Sequence, residues 1–240
     1  MVCKFADFTV ELINTFPQTE KYFVEFLSSE QPEISFKTSM QDIEFETELV
    51  NGKYVIINSE LASFLRKFAE WALQKNSVLL HCALIDVDGT GLAFSAPSGT
   101  GKTTHTLLWQ RFLGDKMTIV NGDKPIVRFF ENEQFPIGYG TPWNGKERLG
   151  TNGKTPIKHF CFIERSDTNS CEKVDPADVL ESFFKQIYLP KNNSNAISKT
   201  LNLADRFLKS VTVWKIKCNM DISAAEVAYN TIFKENNDET

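Results

Sequence analysis

One stretch constrains this chain more than any other: residues 93–109, AFSAPSGTGKTTHTLLW. An apolar run meets a turn rich in glycine and hydroxyl groups, and that turn opens into residues with helical spacing. A strand, a tight loop and a helix in direct succession call for a layered α/β structure, because the strand needs partners and the helix must cover them. The loop reads Ala96-Pro97-Ser98-Gly99-Thr100-Gly101-Lys102-Thr103. This is G-x-x-x-x-G-K-[ST] with alanine for the first glycine. Gly99 and Gly101 let the backbone turn its N–H groups toward an anion. A helix starting near Gly101 adds unpaired N–H groups and the positive end of its dipole. Ser98, Gly99, Thr100, Gly101, Lys102, Thr103 and Thr104 are therefore expected to hold nucleotide phosphates. Lys102 would serve the outer phosphates and the Thr103 hydroxyl a magnesium ion.

A magnesium-bound triphosphate also needs a carboxylate at the end of a neighbouring strand. Asp123 follows the strand-like MTIVNG and meets that need. Two roles stay open for it: metal ligand, or acceptor of a proton from an attacking hydroxyl. The loop TPWNGKER, residues 141–148, gathers Trp143, Lys146 and Arg148. An aromatic and two cations on a loop are expected to form a lid or acceptor surface. Lys124 and Arg128 flank the acidic turn and are candidates for phosphate contact. His105 is read as either a surface residue or a nucleotide contact, and His159 as structural.

The remaining pattern places hairpins around this unit. FADFTVEL, KYFVEFL, PEISFK, IEFETELV and KYVII are short apolar runs between polar breaks, and the alternation in IEFETELV with the Asn51-Gly52 turn before KYVII suggests an antiparallel hairpin. A helix is expected over SELASFLRKFAEWALQK, capped by Asn58 or Ser59. Further strands are SVLLHCALIDV, GLAFSA, KMTIVN, PIVRFF, FPIGYG, PIKHFCFIER and VTVWKIKC. Helices are expected after Asp175-Pro176, over about 195–209 and over SAAEVAYNTIF, with a frayed tail KENNDET. Antiparallel hairpins beside a strand–loop–helix unit fit a mixed sheet better than a purely parallel one. The expected division is residues 1–76, hairpins plus a helix packed on the core, and 77–240, the core with its C-terminal helices.

The 240 residues carry a net charge of −5 and no basic stripe, so a nucleic-acid partner is not expected. Five cysteines without a CxxC pair suit reduced, buried thiols. No basic segment followed by an apolar run opens the chain, and no window nears the roughly 20 apolar residues of a membrane helix. A cytoplasmic protein without a membrane partner is expected. Twenty phenylalanines are assigned mainly to the core.

Residues 78–160 resemble the catalytic domain of HPr kinase/phosphorylase, grouped with the phosphoenolpyruvate carboxykinases in one P-loop fold. HCALIDVDGTGLAFSAPSGTGKT and VNGDKPIVR carry the likeness. GTPWNGK, residues 140–146, resembles a stretch of small HPr-kinase-related proteins that accompany ribosomal peptide biosynthesis. Some of those are similar to lasso peptide precursor kinases, which phosphorylate a peptide serine. The resemblance implies an α/β, P-loop phosphoenolpyruvate carboxykinase/HPr kinase-like mixed β-sheet with flanking helices. It implies ATP and Mg²⁺ as cofactors and a peptide or small-protein acceptor. By the same resemblance His81 lies near the active centre and supports Asp123, while Lys102 and Thr103 match the phosphate-loop pair. Asp123 matches the second of two adjacent aspartates, and Gly122 stands where the first would be. Gly122→Asp is then expected to keep or raise activity if the site is a depleted pair of acids. No phosphorylase activity is carried over. HPr kinases assemble as oligomers, but no residue here carries that property across. The expected function is an ATP-dependent kinase acting on a hydroxyl, most readily serine. The alternatives are a nucleotide-binding regulatory module and a small-molecule hydroxyl kinase.

Overall fold

The computed structural model describes residues 1–53, 55–191 and 193–238. The chain opens with β1 (Val2–Phe5) and β2 (Phe8–Ile13), paired antiparallel. Ala6 and Asp7 both take positive φ, the geometry of a two-residue hairpin turn. β3 (Ile34–Lys37) pairs with β2 in parallel, completing a small sheet.

The hairpin expected around Asn51-Gly52 is a pair of helices instead. α1 spans Met40–Leu49 and α2 spans Ile56–Gln74. Asn51 and Gly52, at φ 52° and 70°, form the turn between them; Tyr54 lies outside the described residues. Ser39 explains the switch. Its hydroxyl accepts from the Asp42 N–H, and the Asp42 carboxylate accepts from the Ser39 N–H. This reciprocal box starts a helix whatever the apolar alternation downstream. The alternating Phe45 and Leu49 stay at the surface, 45% and 48% exposed, while Ile43 alone of that set is buried. α2 begins before Asn58 and has no side-chain cap at Val55.

The rest of the chain follows in the order β4 (Ser77–Leu79), β5 (Ala83–Val87), β6 (Thr90–Ser95), α3 (Lys102–Leu113), β7 (Met117–Asn121), β8 (Ile126–Arg128) and β9 (Ile137–Tyr139). Then come β10 (Lys154–Arg165), β11 (Ser170–Lys173), α4 (Leu180–Phe184), α5 (Ser194–Ser210), β12 (Thr212–Cys218) and α6 (Ser223–Asp238). The expected tail is helical through Asp238, and its last two residues lie outside those described. The strands form a mixed sheet ordered β4-β8-β9-β10-β6-β5-β7, with β12 also on β10 and β11 on β12. β10 runs parallel to β6 and to β12. β5 runs antiparallel to both β6 and β7, so β7 points the same way as β6. The C-terminal ends of β6, β7, β10 and β12 thus share one edge.

β10 is buried on both faces, as a central strand must be. Phe160 and Phe162 pack with Phe183 and Phe207 from α4 and α5 on one side. Cys161 and Ile163 pack with Trp109 of α3 and with Ala225, Ala228 and Ile232 of α6 on the other. A third cluster joins Phe5, Phe8, Phe64 and Phe68 to Leu79, Ile126, Tyr139 and Trp143. The N-terminal residues and the larger sheet therefore share that apolar core. Among the described residues no helix is long and apolar enough to cross a membrane. All five cysteines are free, and four are buried.

Candidate active site

The shared strand edge carries the glycine-rich loop. Gly99 and Gly101 adopt φ +80° and +118°, and a Cβ on either would meet nothing within 4 Å. Backbone conformation, not crowding, is what calls for glycine there. Gly101 caps α3 without a side chain, and the first helical bond runs from the His105 N–H to the Gly101 carbonyl at 2.9 Å. The N–H groups of the turn before it have no intrahelical acceptor. Arg165, at the end of β10, donates to the carbonyls of Gly99 and Thr100. Those two carbonyl oxygens are thereby engaged by a cation. Sequence reasoning did not single out Arg165; its place at the end of the strand beside the loop was the available signal.

β5 lies between β6 and β7 and runs against them, so its start falls at their ends. That brings His81, just before β5, to the same edge. Its backbone N–H donates to the Gln186 carbonyl at 2.7 Å, and its Nε2 lies 3.1 Å from Asp123 Oδ1. Lys124 Nζ lies 2.8 Å from the other carboxylate oxygen. Burial alone would raise the Asp123 pKa, but the His81 hydrogen bond and the Lys124 charge outweigh it and hold the carboxyl well below the usual range. Asp123 is thus ionised under ordinary conditions. Burial lowers the Lys102 pKa, opposed by the nearby Asp123 charge. Cys82, adjacent to His81, is fully buried, and burial pushes its thiol up to about 12. It is no nucleophile.

Asn121, not singled out from sequence, shapes the acidic turn. Its Oδ1 accepts from the Asp123 and Lys124 N–H groups at 2.9 and 2.7 Å. Its Nδ2 donates to the carbonyl and hydroxyl oxygens of Thr141. One buried amide therefore couples the acidic turn to the 140–150 loop.

His81, Ser98, Gly99, Gly101, Lys102, Thr103, Asp123, Lys124 and Lys146 line one cavity of about 450 Å³, together with Pro97, Gly122, Gly145 and Glu147. Glu147 adds a second carboxylate to the lining. Thr100 and Thr104 face the opposite side of the glycine turn. Three residues expected at the site lie elsewhere. Trp143 is 8% exposed and sits among Phe5, Phe23 and Phe68, with its Nε1 donating to the Leu61 carbonyl at 2.8 Å. Arg148 lies over the Tyr22 ring and donates to the Tyr22 carbonyl. Arg128 stacks on Phe8 at 3.9 Å and donates to the Ala6 carbonyl at 2.7 Å. All three bind the N-terminal residues to the larger sheet. Their cationic and aromatic character answers N-terminal partners far away in sequence, such as Leu61, Ala6 and Tyr22.

Gly122 is also better explained. Its N–H donates to the Leu149 carbonyl at 2.8 Å. A Cβ there would stand 2.9 Å from the Asn144 carbonyl oxygen and 3.0 Å from that of Leu149. The loop over the site leaves no room for a second acid, so Gly122→Asp is expected to lose activity, not to keep or raise it. Overpacking against backbone should also lower stability by roughly 1–3 kcal/mol. Thermal denaturation with a transfer assay checks both, and a variant as stable and active as the parent would show that the loop yields.

Solved structures that match this fold include one distant likeness. It is the HPr(Ser) kinase/phosphatase from Coxiella burnetii, 10% identical, aligned over 67% of this chain and 94% of its own with a TM-score of 0.38. No family model matches the chain, and no curated protein matches it.

The residues present suit magnesium. Thr103, Asp123 and Glu147 offer hard oxygen donors in the cavity of the glycine turn. Magnesium needs only one or two carboxylates beside phosphate oxygens and water. No group of three or more His, Cys, Asp or Glu among the described residues could hold a metal ion.

Proposed function

We propose that this protein is an ATP-dependent phosphotransferase of the HPr kinase-like P-loop type, moving the γ-phosphoryl group to a hydroxyl acceptor. The observation that carries the reading is one cavity lined both by the glycine turn with Lys102 and by an ionised carboxylate held between His81 and Lys124. The triphosphate lies against the loop, with Lys102 on its outer phosphates. Asp123 orients the acceptor hydroxyl. As the acceptor oxygen bonds to phosphorus, the bond to the bridging β-phosphate oxygen breaks and the proton passes to Asp123. The transition state is loose, so a weak carboxylate base suffices. Lys124 and Lys146 stand where charge develops on the transferring group. Magnesium, held by Thr103 and Asp123, would neutralise the phosphate oxygens. The motif resemblance points to serine on a peptide or small protein as acceptor.

A regulatory module that binds nucleotide without transfer is the second reading, favoured by the lack of space for an acid at Gly122. Lys102→Ala tests what both readings share. Nucleotide affinity should fall roughly 10- to 100-fold, the size of a charge-assisted contact, with the thermal transition unchanged. Calorimetry showing equal affinity would remove the loop assignment.

A further inference from the structure

A groove of about 410 Å³ meets the candidate site at Lys124. Lys124 lines both hollows, and no residue of the glycine turn lines this one. Its walls include Phe45 and Leu49 of α1, Leu65 of α2, and Tyr188 and Leu189 from the segment after α4. Phe45, Leu49 and Leu189 are 45%, 48% and 36% exposed. Three large apolar side chains left open around one hollow mark a surface that another molecule covers.

The charged groups on the wall face one another. Arg66 lies 2.6 Å from Glu46 and 3.9 Å from Glu70. The Tyr188 hydroxyl donates to Glu70 at 3.0 Å. Lys124, at the end nearest the site, already meets Asp123. The surface left open is apolar and suits an apolar side chain better than a charged one.

The groove and the reacting carboxylate share one piece of backbone. Residues 186–188 run antiparallel to 79–81. The Tyr188 N–H donates to the Leu79 carbonyl at 3.0 Å and the His81 N–H to the Gln186 carbonyl at 2.7 Å, with Leu80 opposite Ile187. Leu79 lines the groove, and His81 lines the cavity of the glycine turn. Two positions apart on extended backbone, they stand on one face about 7 Å from each other. An extended peptide covers the same step in two residues. A side chain in the groove therefore belongs about two positions from a hydroxyl placed at His81 and Asp123.

We infer that this groove holds a large apolar side chain of a peptide acceptor, about two residues from the hydroxyl that is phosphorylated, and so selects the acceptor. This rests on the peptide-kinase reading above. Continuity with the catalytic cavity, through Lys124 and through residues 79–81, is what assigns the groove to the acceptor.

The test uses the whole chain with ATP, magnesium and a set of short peptides. Each peptide is alanine throughout except for a central serine and one leucine, which is moved through the other positions. Mass spectrometry follows phosphorylation. Leucine two positions from the serine, on one side of it, should raise kcat/KM at least about tenfold over the peptide without leucine, the effect of burying one such side chain. Leu49→Glu and Leu189→Glu, both at exposed positions, should shrink that gain to within about twofold. Affinity for a non-hydrolysable ATP analogue should not change in either variant. Equal rates for all peptides overturn the groove and spare the kinase reading. A leucine gain that survives both substitutions overturns the groove's part in it. If Leu49→Glu dissociates a parent dimer and leaves the gain intact, the face belongs to a second copy and the inference falls. Phosphorylation of no peptide by a parent that binds the analogue overturns the peptide-kinase reading, and the groove with it. Photo-leucine at the preferred position needs no variant. Label on residues 45–49, 62–66 or 188–191 supports the groove, and label confined to other segments overturns it.

Discussion

Asp123→Asn is expected to slow phosphoryl transfer about a thousandfold, within the range a positioned proton acceptor contributes. Nucleotide affinity should stay within a few-fold of the parent. Asparagine nearly matches aspartate in shape and can still accept from His81 Nε2. At the other oxygen position it sets an amide donor against the Lys124 ammonium, and it cannot take a proton from the acceptor. The variant weakens one magnesium ligand, but the glycine turn, Lys102 and Thr103 are untouched, so most of the binding persists. Mass spectrometry of candidate acceptors incubated with ATP and magnesium reads the transfer, and calorimetry reads the binding. Normal transfer in the variant would remove Asp123 from the chemistry. A parent chain that binds nucleotide tightly and phosphorylates no acceptor would favour the regulatory reading.

Glu60→Ala is expected to cost on the order of 4 kcal/mol of stability, a large share of the roughly 5–15 kcal/mol a typical domain has. Glu60 is fully buried on α2. It accepts hydrogen bonds from the Thr15 and Phe16 N–H groups and from the Thr19 and Thr38 hydroxyls. Thr19 and Thr38 are themselves buried. Alanine would leave these donors without an acceptor, at about 1–3 kcal/mol for each one that stays buried, and would open a void. Chemical denaturation measures the loss. A change below about 1 kcal/mol would mean that water or local rearrangement replaces the carboxyl group.

Much of this architecture could be read from local spacing. The strand, glycine turn and helix of residues 93–113 show their type through apolar runs, turn residues and helical periodicity. β7, β10, β12 and α5 do the same, and Asp123 stands out because it closes a strand. The misreadings share a cause. The alternation in IEFETELV is real, but Phe45 and Leu49 spend it on the surface, and the Ser39 box outweighs it. Trp143, Arg128 and Arg148 have the chemistry of ligand-binding residues. What they meet is Leu61, Ala6 and Tyr22, and local spacing does not reveal such distant partners. Arg165 escaped notice for the same reason, since the carbonyls it meets lie 65 and 66 positions away. His105 could be read two ways until the Trp109 contact gave its ring an orientation.

The burial of Trp143 has a wider consequence. The segment that crosses Gly122 and brings Lys146 and Glu147 to the cavity is moored through this indole to α2 and the first hairpin, and through Arg148 to Tyr22. Its place over Asp123 is thus set from two sides, by the opening residues through Trp143 and by the end of β7 through the Asn121–Thr141 and Gly122–Leu149 hydrogen bonds. A change in the fit of the opening residues would therefore bear on the ceiling of this cavity from one of its two supports.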